Sequence, residues 1–108
     1  MAELEPTDEA YCAVDVATED DTTVIRLSGE LDMVSVERIR PVIDRVLAGG
    51  NDRLVFDVTG LEFMDSSGIA LLVSATRNAG QVELRHPTPI VRRIIELTGL
   101  TELLLMVS

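Results

Sequence analysis

The sequence predicts an α/β fold, in which a small mixed β-sheet of about five strands carries three or more α-helices. Three observations lead to this prediction. Residues 12–28 alternate between apolar and polar in two short runs, which is typical of half-buried strands. Residues 36–47 place apolar side chains at helical spacing. An apolar run at residues 54–58 precedes a small-residue stretch and an alternating run at residues 81–85, which indicates a strand, a helix and a strand in series.

Composition limits the kind of partner. A chain of 108 residues is expected to form one domain, and 46% hydrophobic residues are enough to fill its core. Only 3% of the residues are aromatic, so few side chains could stack on nucleic-acid bases. The formal net charge of −10 opposes binding to phosphate backbones and to anionic membranes. We therefore expect a protein or small-molecule partner, with no direct nucleic acid and no membrane.

The first residues differ in composition from the rest. Residues 1–10 are acidic, contain Pro6 and show no apolar periodicity, so we expect a flexible acidic tail there and a single domain over residues 11–108. The single Cys12 cannot form an internal disulfide. Neither a signal peptide nor an apolar run of about 18 residues is present, so a cytoplasmic location is expected.

The first half predicts a hairpin and a helix. Two strands near residues 12–16 and 24–28 are joined by an acidic loop, most simply as an antiparallel hairpin, and residues 28–32 then break the second strand. Pro41 lies inside the helical pattern that follows, so we expect a bend or a late helix start. Gly49 and Gly50 supply the C-terminal stop. The buried face of this helix is predicted to be Val36, Ile39, Ile43, Val46 and Leu47.

The central stretch predicts a buried strand at residues 54–58, a turn at Thr59 and Gly60, and a small-residue helix that starts near Ser66 and is closed by Gly80. Its core stripe is predicted to be Ile69, Leu72, Val73 and Thr76. The other face carries no charge in an otherwise highly charged chain and is a candidate docking surface, with another element covering it as the alternative. That face comprises Ala70, Leu71, Ser74, Ala75 and Asn78.

The last third predicts a short strand at residues 81–85, joined to the central strand by a parallel crossover. Thr88 is a good N-cap and Pro89 a good first residue for a third helix, which Gly99 ends. Residues 102–107 read as a last strand, with a terminal helical turn as the alternative. The buried face of the third helix is predicted to be Ile90, Val91, Ile94 and Leu97.

Ser66 is the candidate functional residue. A helix start leaves about four backbone N–H groups without intrahelical partners and has partial positive charge, so it would tolerate a phosphate on this serine. Gly68, without a side chain, would let a partner approach closely. The alternative is that Asp65, Ser66 and Ser67 only cap the helix and Gly68 only permits packing. Ser67 is the alternative acceptor, because its hydroxyl is on the same helix start.

The sequence gives little support for catalysis or for a bound cofactor. The serine lacks the G-x-S-x-G pattern of a hydrolase nucleophile, and His86 is the only available base. One His and one Cys offer no metal cluster. The glycines form neither of the common phosphate-binding loops. We therefore expect no enzyme activity, no cofactor and no metal.

Three motifs resemble a known family. Residues 29–32 (GELD), residues 63–68 (FMDSSG) and residues 98–100 (TGL) look like those of a STAS domain of the anti-sigma factor antagonist type. The DSSG element is the most specific of the three. The resemblance covers the chain from about Val14 to Val107, in the same order and spacing.

The resemblance implies a partner-switching protein that regulates transcription in bacteria, for instance in stress responses. Such an antagonist binds an anti-sigma factor that is also a serine kinase, which frees a sigma factor. The kinase uses ATP to phosphorylate the first serine of the motif, here Ser66, and a PP2C-type phosphatase restores it. Asp32 matches the aspartate near that site, and Asp65 precedes the acceptor. The predicted partner-binding residues are these two aspartates together with Ser67 and Gly68 at the helix start and Leu71 on its uncharged face, that is, Asp32, Asp65, Ser67, Gly68 and Leu71.

An accessory subunit of a lipid or anion transport system is the alternative function, since STAS-like domains also occur there. Many family members continue past the last strand into another helix, whereas this sequence stops at Ser108. Either the fold closes without that helix or apolar surface stays exposed. We accordingly expect a monomer or a weak homodimer.

Overall fold

The computed structural model describes residues 12–107, so the predicted acidic tail lies outside the described residues. Within that range five strands and three α-helices form a mixed α/β structure, which confirms the predicted fold class. A short 3-10 helix, Leu100–Glu102, precedes the last strand. The strands are β1 (Ala13–Glu19), β2 (Thr22–Leu31), β3 (Asn51–Met64), β4 (Ala79–Arg85) and β5 (Leu105–Val107), and the helices are α1 (Met33–Ala48), α2 (Ser66–Thr76) and α3 (Pro89–Leu97).

The strands lie in the sheet in the order in which they follow along the chain. β1 pairs with β2 antiparallel, which confirms the predicted hairpin. β2, β3, β4 and β5 pair in parallel, each with the next. Parallel neighbours need a crossover, and the three helices supply the three crossovers. The predicted parallel β3–α2–β4 unit is thus confirmed, and the carboxyl ends of β2, β3 and β4 point to one edge of the molecule.

One aliphatic core holds the sheet and helices together. Side chains alternate along β3, so Leu54, Phe56 and Val58 join this core while Val55 and Asp57 point to the opposite face. The predicted buried face of α1 is confirmed, with Val46 and Leu47 half-buried at its edge. The fully buried large side chains are Phe56, Ile25, Leu27, Leu31, Ile43, Leu54, Leu61, Met64, Leu71, Leu72, Leu84 and Ile95.

Ion pairs cover the opposite face of the sheet. The Glu83 side chain is buried, and its Oε1 lies 3.2 Å from Nη2 of Arg53. Nε of Arg26 lies 3.6 Å from Oδ2 of Asp57. Partial burial alone would raise the pKa of Asp57, but hydrogen bonds from Thr59 and the charge of Arg26 hold it below its ordinary value. The arginines of the sheet are therefore paired with carboxylates of the sheet.

Two predicted strand breaks are wrong. Residues 28–32 and the pair Thr59 and Gly60 were expected to interrupt β2 and β3, yet both strands continue, to Leu31 and Met64. The register between β2 and β3 shifts twice instead, so the turn-forming residues produce β-bulges. Gly29 takes a φ of 96°, which a glycine adopts without strain. At Gly60 a Cβ would lie 2.9 Å from the Ser28 Cβ, so the two strands approach too closely there for a side chain.

Helix α1 runs through its proline. The helix starts at Met33, eight residues before Pro41, so the predicted late start is wrong, while a bend stays a prediction. Asp32 explains the early start, because its side chain accepts a hydrogen bond from the Ser35 N–H at 2.9 Å and so caps the helix. Gly49 is the C-cap residue, as the sequence predicted.

The predicted end of α2 is also wrong. The helix ends at Thr76 with Arg77 as its C-cap, whereas Gly80 lies within β4. A Cβ on Gly80 would lie 2.7 Å from the backbone oxygen of Asp52, so this glycine lets β4 approach β3 rather than closing the helix.

The last elements are partly as predicted. Thr88 precedes α3 and Pro89 begins it, but the Thr88 hydroxyl donates to the Leu61 carbonyl and makes no capping bond. Ile90 and Leu97 were expected to be buried and are exposed, because the helical period places Val91 and Ile95 toward the core instead. The final segment forms a strand as predicted, although a shorter one.

None of the helices in the described part of the chain is long and apolar enough to cross a membrane.

Pro41 should lower the stability of the protein because it lies inside α1. It has no N–H to donate to the carbonyl of Glu37, and an interior helix proline costs about 3 kcal/mol relative to alanine. Replacement also frees the unfolded chain, which offsets about 0.4–1 kcal/mol of the gain. We expect Pro41→Ala to raise the free energy of unfolding, measured in urea, by about 2–2.6 kcal/mol.

Pro89→Ala is the matched control, because Pro89 occupies the first position of α3, where no intrahelical N–H bond is lost. Its replacement should leave stability unchanged or lower it slightly. Equal effects of the two substitutions would show that the position of Pro41 in the helix carries no cost.

Candidate functional site

The ends of the two central strands bring two helix starts together. Leu31 at the end of β2 pairs with Met64 at the end of β3. The backbone N–H of Asp65 then donates to the Leu31 carbonyl at 3.2 Å, one residue beyond the last strand pair. The chain turns into α1 directly after Asp32 and into α2 directly after Asp65. The GELD and DSSG motifs therefore meet at one edge of the molecule.

Asp65 caps helix α2 tightly. Its Oδ1 accepts hydrogen bonds from the N–H groups of Ser67 at 2.8 Å and Gly68 at 3.3 Å, and its carbonyl accepts from Ile69. The sequence correctly indicated a helix start at this point. The expectation that its N–H groups are free for a phosphate is wrong for these two, since a carboxylate already occupies them.

The two serines of the motif have different surroundings. Ser66 is the first residue of α2 and its side chain is exposed. Ser67 is half-buried and faces α1, where it lines a cavity of about 240 Å³ together with Met33 and Arg40. A kinase must reach a hydroxyl from solvent, so the geometry favours Ser66 over Ser67 as an acceptor.

Gly68 serves internal packing. It is buried, and a Cβ at this position would lie 2.8 Å from the Leu31 carbonyl oxygen and 2.9 Å from the Leu31 Cγ. The first turn of α2 can approach the end of β2 this closely only because residue 68 has no side chain. The packing alternative therefore describes the position of Gly68, and its contact with a partner stays a prediction.

The predicted docking face of α2 is partly wrong. Leu71 and Ala75, which were assigned to it, are fully buried in the core, so Leu71 cannot contact a partner in this structure. The outward side is instead formed by the exposed Ser66 and Ala70, with Val73 half-buried beside them. It is still uncharged, because α2 contains no ionisable residue.

Asp32 is fixed beside this turn by its own cap. The Ser35 N–H donates to its carboxylate, and this bond, together with the Ser35 hydroxyl, holds the pKa of Asp32 below its ordinary value. The buried Ser35 hydroxyl in turn accepts from the backbone N–H of Cys12 at 3.2 Å. Asp32 is therefore a rigidly held negative charge at neutral pH.

Two apolar residues at the site were missed by the sequence analysis. Met33 and Val34, in the first turn of α1, are 63% and 62% exposed. A signal was available, because both stand next to the capping Asp32 and outside the buried stripe of that helix. We call Asp32, Met33, Val34, Ser66 and Ala70 the serine surface.

Other reactive groups are placed elsewhere or shielded. Burial raises the pKa of the Cys12 thiol to about 11, so it stays protonated at neutral pH. His86 is exposed, and its backbone N–H donates to the Val107 carbonyl. Among residues 12–107, no group of three or more His, Cys, Asp and Glu side chains could hold a metal ion.

Comparisons with known proteins agree on one family. The family model described as "Mlab, STAS domain" matches residues 14–107. An anti-sigma F factor antagonist of Lysinibacillus sphaericus is 39% identical over 85 residues, which cover 74% of this chain and 73% of that protein. The crystal structure of an anti-sigma factor antagonist from Mycobacterium paratuberculosis has a TM-score of 0.83 at 29% identity and covers 91% of this chain and 86% of its own.

One similar protein has been solved in two states. The anti-sigma factor antagonist SpoIIAA in its unphosphorylated form has a TM-score of 0.74 at 33% identity, covering 89% of both chains. The Bacillus cell fate determinant SpoIIAA in the phosphorylated form has a TM-score of 0.66 at 30% identity, covering 89% of this chain and 92% of its own.

The Asp32 cap should make stability depend on pH in acid. Because the pKa of Asp32 is lower in the folded than in the unfolded chain, its contribution is complete above the unfolded value of about 3.9 and is lost as pH falls through the folded value. Asp32→Asn keeps a capping side chain without the titration. We expect the excess unfolding free energy of wild type over Asp32→Asn to shrink between about pH 5 and pH 3.

Urea denaturation at several pH values measures this difference. Asp44→Asn, on the exposed face of the same helix, controls for the loss of a negative charge. If the difference in unfolding free energy between wild type and Asp32→Asn stays constant over the whole pH range, the proposed role of the Asp32 cap is contradicted.

Proposed function

The chain belongs to the STAS domain family of anti-sigma factor antagonists, and from this premise we propose that it is switched by phosphorylation of Ser66. In the unphosphorylated form it binds an anti-sigma factor that is also a serine kinase, and a sigma factor is thereby released for transcription. The kinase transfers the γ-phosphoryl group of ATP to the Ser66 hydroxyl, which ends the binding. A PP2C-type phosphatase hydrolyses the phosphoserine and restores the antagonist.

The observation that carries this proposal is the exposure of Ser66 on the uncharged outward side of α2. Exposed Met33 lines a cleft with Ser67 and Ala70, exposed Val34 follows it in α1, and Ala70 lies one helical turn beyond Ser66. Exposed apolar side chains around a small polar group are typical of the centre of a protein interface. The two solved forms of SpoIIAA support the proposal, because that similar protein exists with and without a phosphate.

Electrostatics explain why one phosphate would be enough to end partner binding. A phosphoserine carries about −1.5 to −2 charges at pH 7. Asp32 and Asp65 already place two carboxylates at the two helix starts, so the added charge joins a negative cluster. A partner that buried this cluster against apolar atoms would have to remove its water, at a cost of several kcal/mol unless cations compensate.

The fold should tolerate this modification. Asp65 keeps the cap of α2, so the helix start does not depend on Ser66. The Ser66 side chain points to solvent, where a phosphate displaces no packed group. Phosphorylation therefore acts on the partner rather than on the core, and the binding and released states share one fold.

The residues of the motifs divide into two roles in this proposal. Asp32 on the serine surface and Asp65 and Ser67 beside it are half-buried and can contact the partner. Gly68 and Leu71 support the surface from within. The protein has no catalytic activity of its own, acts in the cytoplasm where ATP is available, and is a monomer or weak homodimer. Its similarity to anti-sigma factor antagonists of Lysinibacillus sphaericus and Mycobacterium paratuberculosis favours this proposal over the transport-subunit alternative.

A negative charge at residue 66 should disrupt partner binding. We expect Ser66→Asp to weaken binding to the cognate anti-sigma factor kinase at least tenfold, because about 1.4 kcal/mol of desolvation penalty is enough for that factor. Ser66→Ala, which adds no charge, should bind nearly as tightly as wild type but accept no phosphate. Isothermal titration calorimetry measures the affinities, and incubation with kinase and ATP tests the phosphorylation.

Asn78→Asp is the charge-matched control, since it adds the same charge just after the far end of α2. It should bind like wild type. The proposal fails if Ser66→Asp binds as tightly as Asn78→Asp, or if Ser66→Ala is still phosphorylated at Ser67.

A further inference from the structure

The first two turns of α1 and the start of α2 enclose a small cleft, which is lined by Ser67, the neighbour of Ser66. The cleft has a volume of about 240 Å³, and Ser67 and Ala70 form its α2 side. Arg40 reaches it from the second turn of α1, where its side chain is exposed. The remaining lining residues are Met33, Val36 and Glu37.

A phosphate on Ser66 would need a counter-charge that α2 does not provide. The N–H groups of Ser67 and Gly68 already bind the Asp65 carboxylate, and α2 has no ionisable side chain. Asp32 and Asp65 repel the phosphate, and the described arginines of the sheet are engaged in ion pairs. Arg40 is a cation that lines one cavity together with Ser67, the residue directly after Ser66 in the acceptor turn.

We propose that Arg40 binds the phosphate carried by Ser66, in an ion pair that forms across the cleft only after phosphorylation. The inference rests on the proposed function, because it requires a phosphoserine at position 66. A guanidinium offers two parallel N–H donors that match two phosphate oxygens, and its long side chain can cross from α1 to α2. Arg40 is thus a positioning residue, which holds the phosphate over the serine surface.

This ion pair has two consequences for the switch. It links α1 to the start of α2, so the phosphorylated form is more stable with Arg40 than without it. It also compensates part of the phosphate charge within the molecule, so the phosphate does not displace the Asp65 cap. The phosphate then stays above Met33 and Ala70, where it blocks the partner.

Arg38 supplies a matched control on the same helix. It lines a neighbouring cavity of about 410 Å³ with Met33, Val34 and Glu37, and no α2 residue takes part in that cavity. Arg38→Gln removes the same charge as Arg40→Gln from the same surface. A difference between the two variants therefore reports contact with the phosphate and not the overall charge.

The test is a ³¹P NMR titration of protein in which phosphoserine is incorporated biosynthetically at position 66. The second pKa of a phosphoserine is about 6, and a neighbouring cation lowers it by favouring the dianion. Asp32, Asp65 and Glu37 act in the opposite direction, as do Glu30 and Glu62 at the strand ends. An exposed ion pair corresponds to roughly 0.3–0.5 of a pKa unit.

We expect Arg40→Gln to raise the phosphoserine pKa by roughly 0.3–0.5 of a unit, and Arg38→Gln to raise it by less than half as much. Arg40→Lys should restore part of the shift. Arg40→Gln should also lower the melting temperature of the phosphorylated protein by about 2–4 °C without changing that of the unphosphorylated protein. Equal pKa shifts for Arg40→Gln and Arg38→Gln, or no rescue by lysine, would overturn the inference.

A binding assay with the same phosphorylated protein tests the proposed function separately from this inference. If it still binds the anti-sigma factor kinase, the switch proposed above is wrong, whatever the titration shows. If it does not bind and the titration shows no specific Arg40 effect, the switch stands and the phosphate has no partner in Arg40.

Discussion

The hydrogen bonds of Asp65 hold the functional end of this protein together. Its N–H binds the carbonyl at the end of β2, and its carboxylate binds the first free N–H groups of α2. Strand and helix are thereby joined through one residue, and Gly68 lets them approach to van der Waals contact. Ser66 lies between these fixed points and makes no contribution to the cap. We therefore expect a change of charge at Ser66 to leave the fold undisturbed.

The general plan of the molecule could be predicted because periodicity reports burial. The hairpin, the helix of residues 33–48 and the parallel unit around β3 all follow from alternation or from helical spacing. The breaks predicted at Gly29 and at Thr59 failed because the same residues that form turns also form bulges, and pairing with a long neighbour decides between the two. That neighbouring strand is distant in sequence, so the local sequence cannot show whether a turn or a bulge forms.

The faces of α2 were assigned wrongly for a related reason. Its apolar and small residues surround the helix almost evenly, so the sequence fixes no phase, and Leu71 was placed outside when it belongs to the core. The acceptor motif was recognisable because capping chemistry is local. Arg40 was not recognisable, since it comes near the start of α2 only through the side-by-side arrangement of β2 and β3.

The proposed switch requires that the Ser66 hydroxyl is phosphorylated in the living cell. Fragment-ion mass spectrometry on protein recovered from its own cells, with and without phosphatase treatment, measures this most directly. The account predicts a phosphate-sized mass increment that maps to Ser66 and disappears on phosphatase treatment. Protein that carries no phosphate under either growth or stress conditions, or carries it only on another residue, would contradict the account and leave a constitutive binding protein of the same fold.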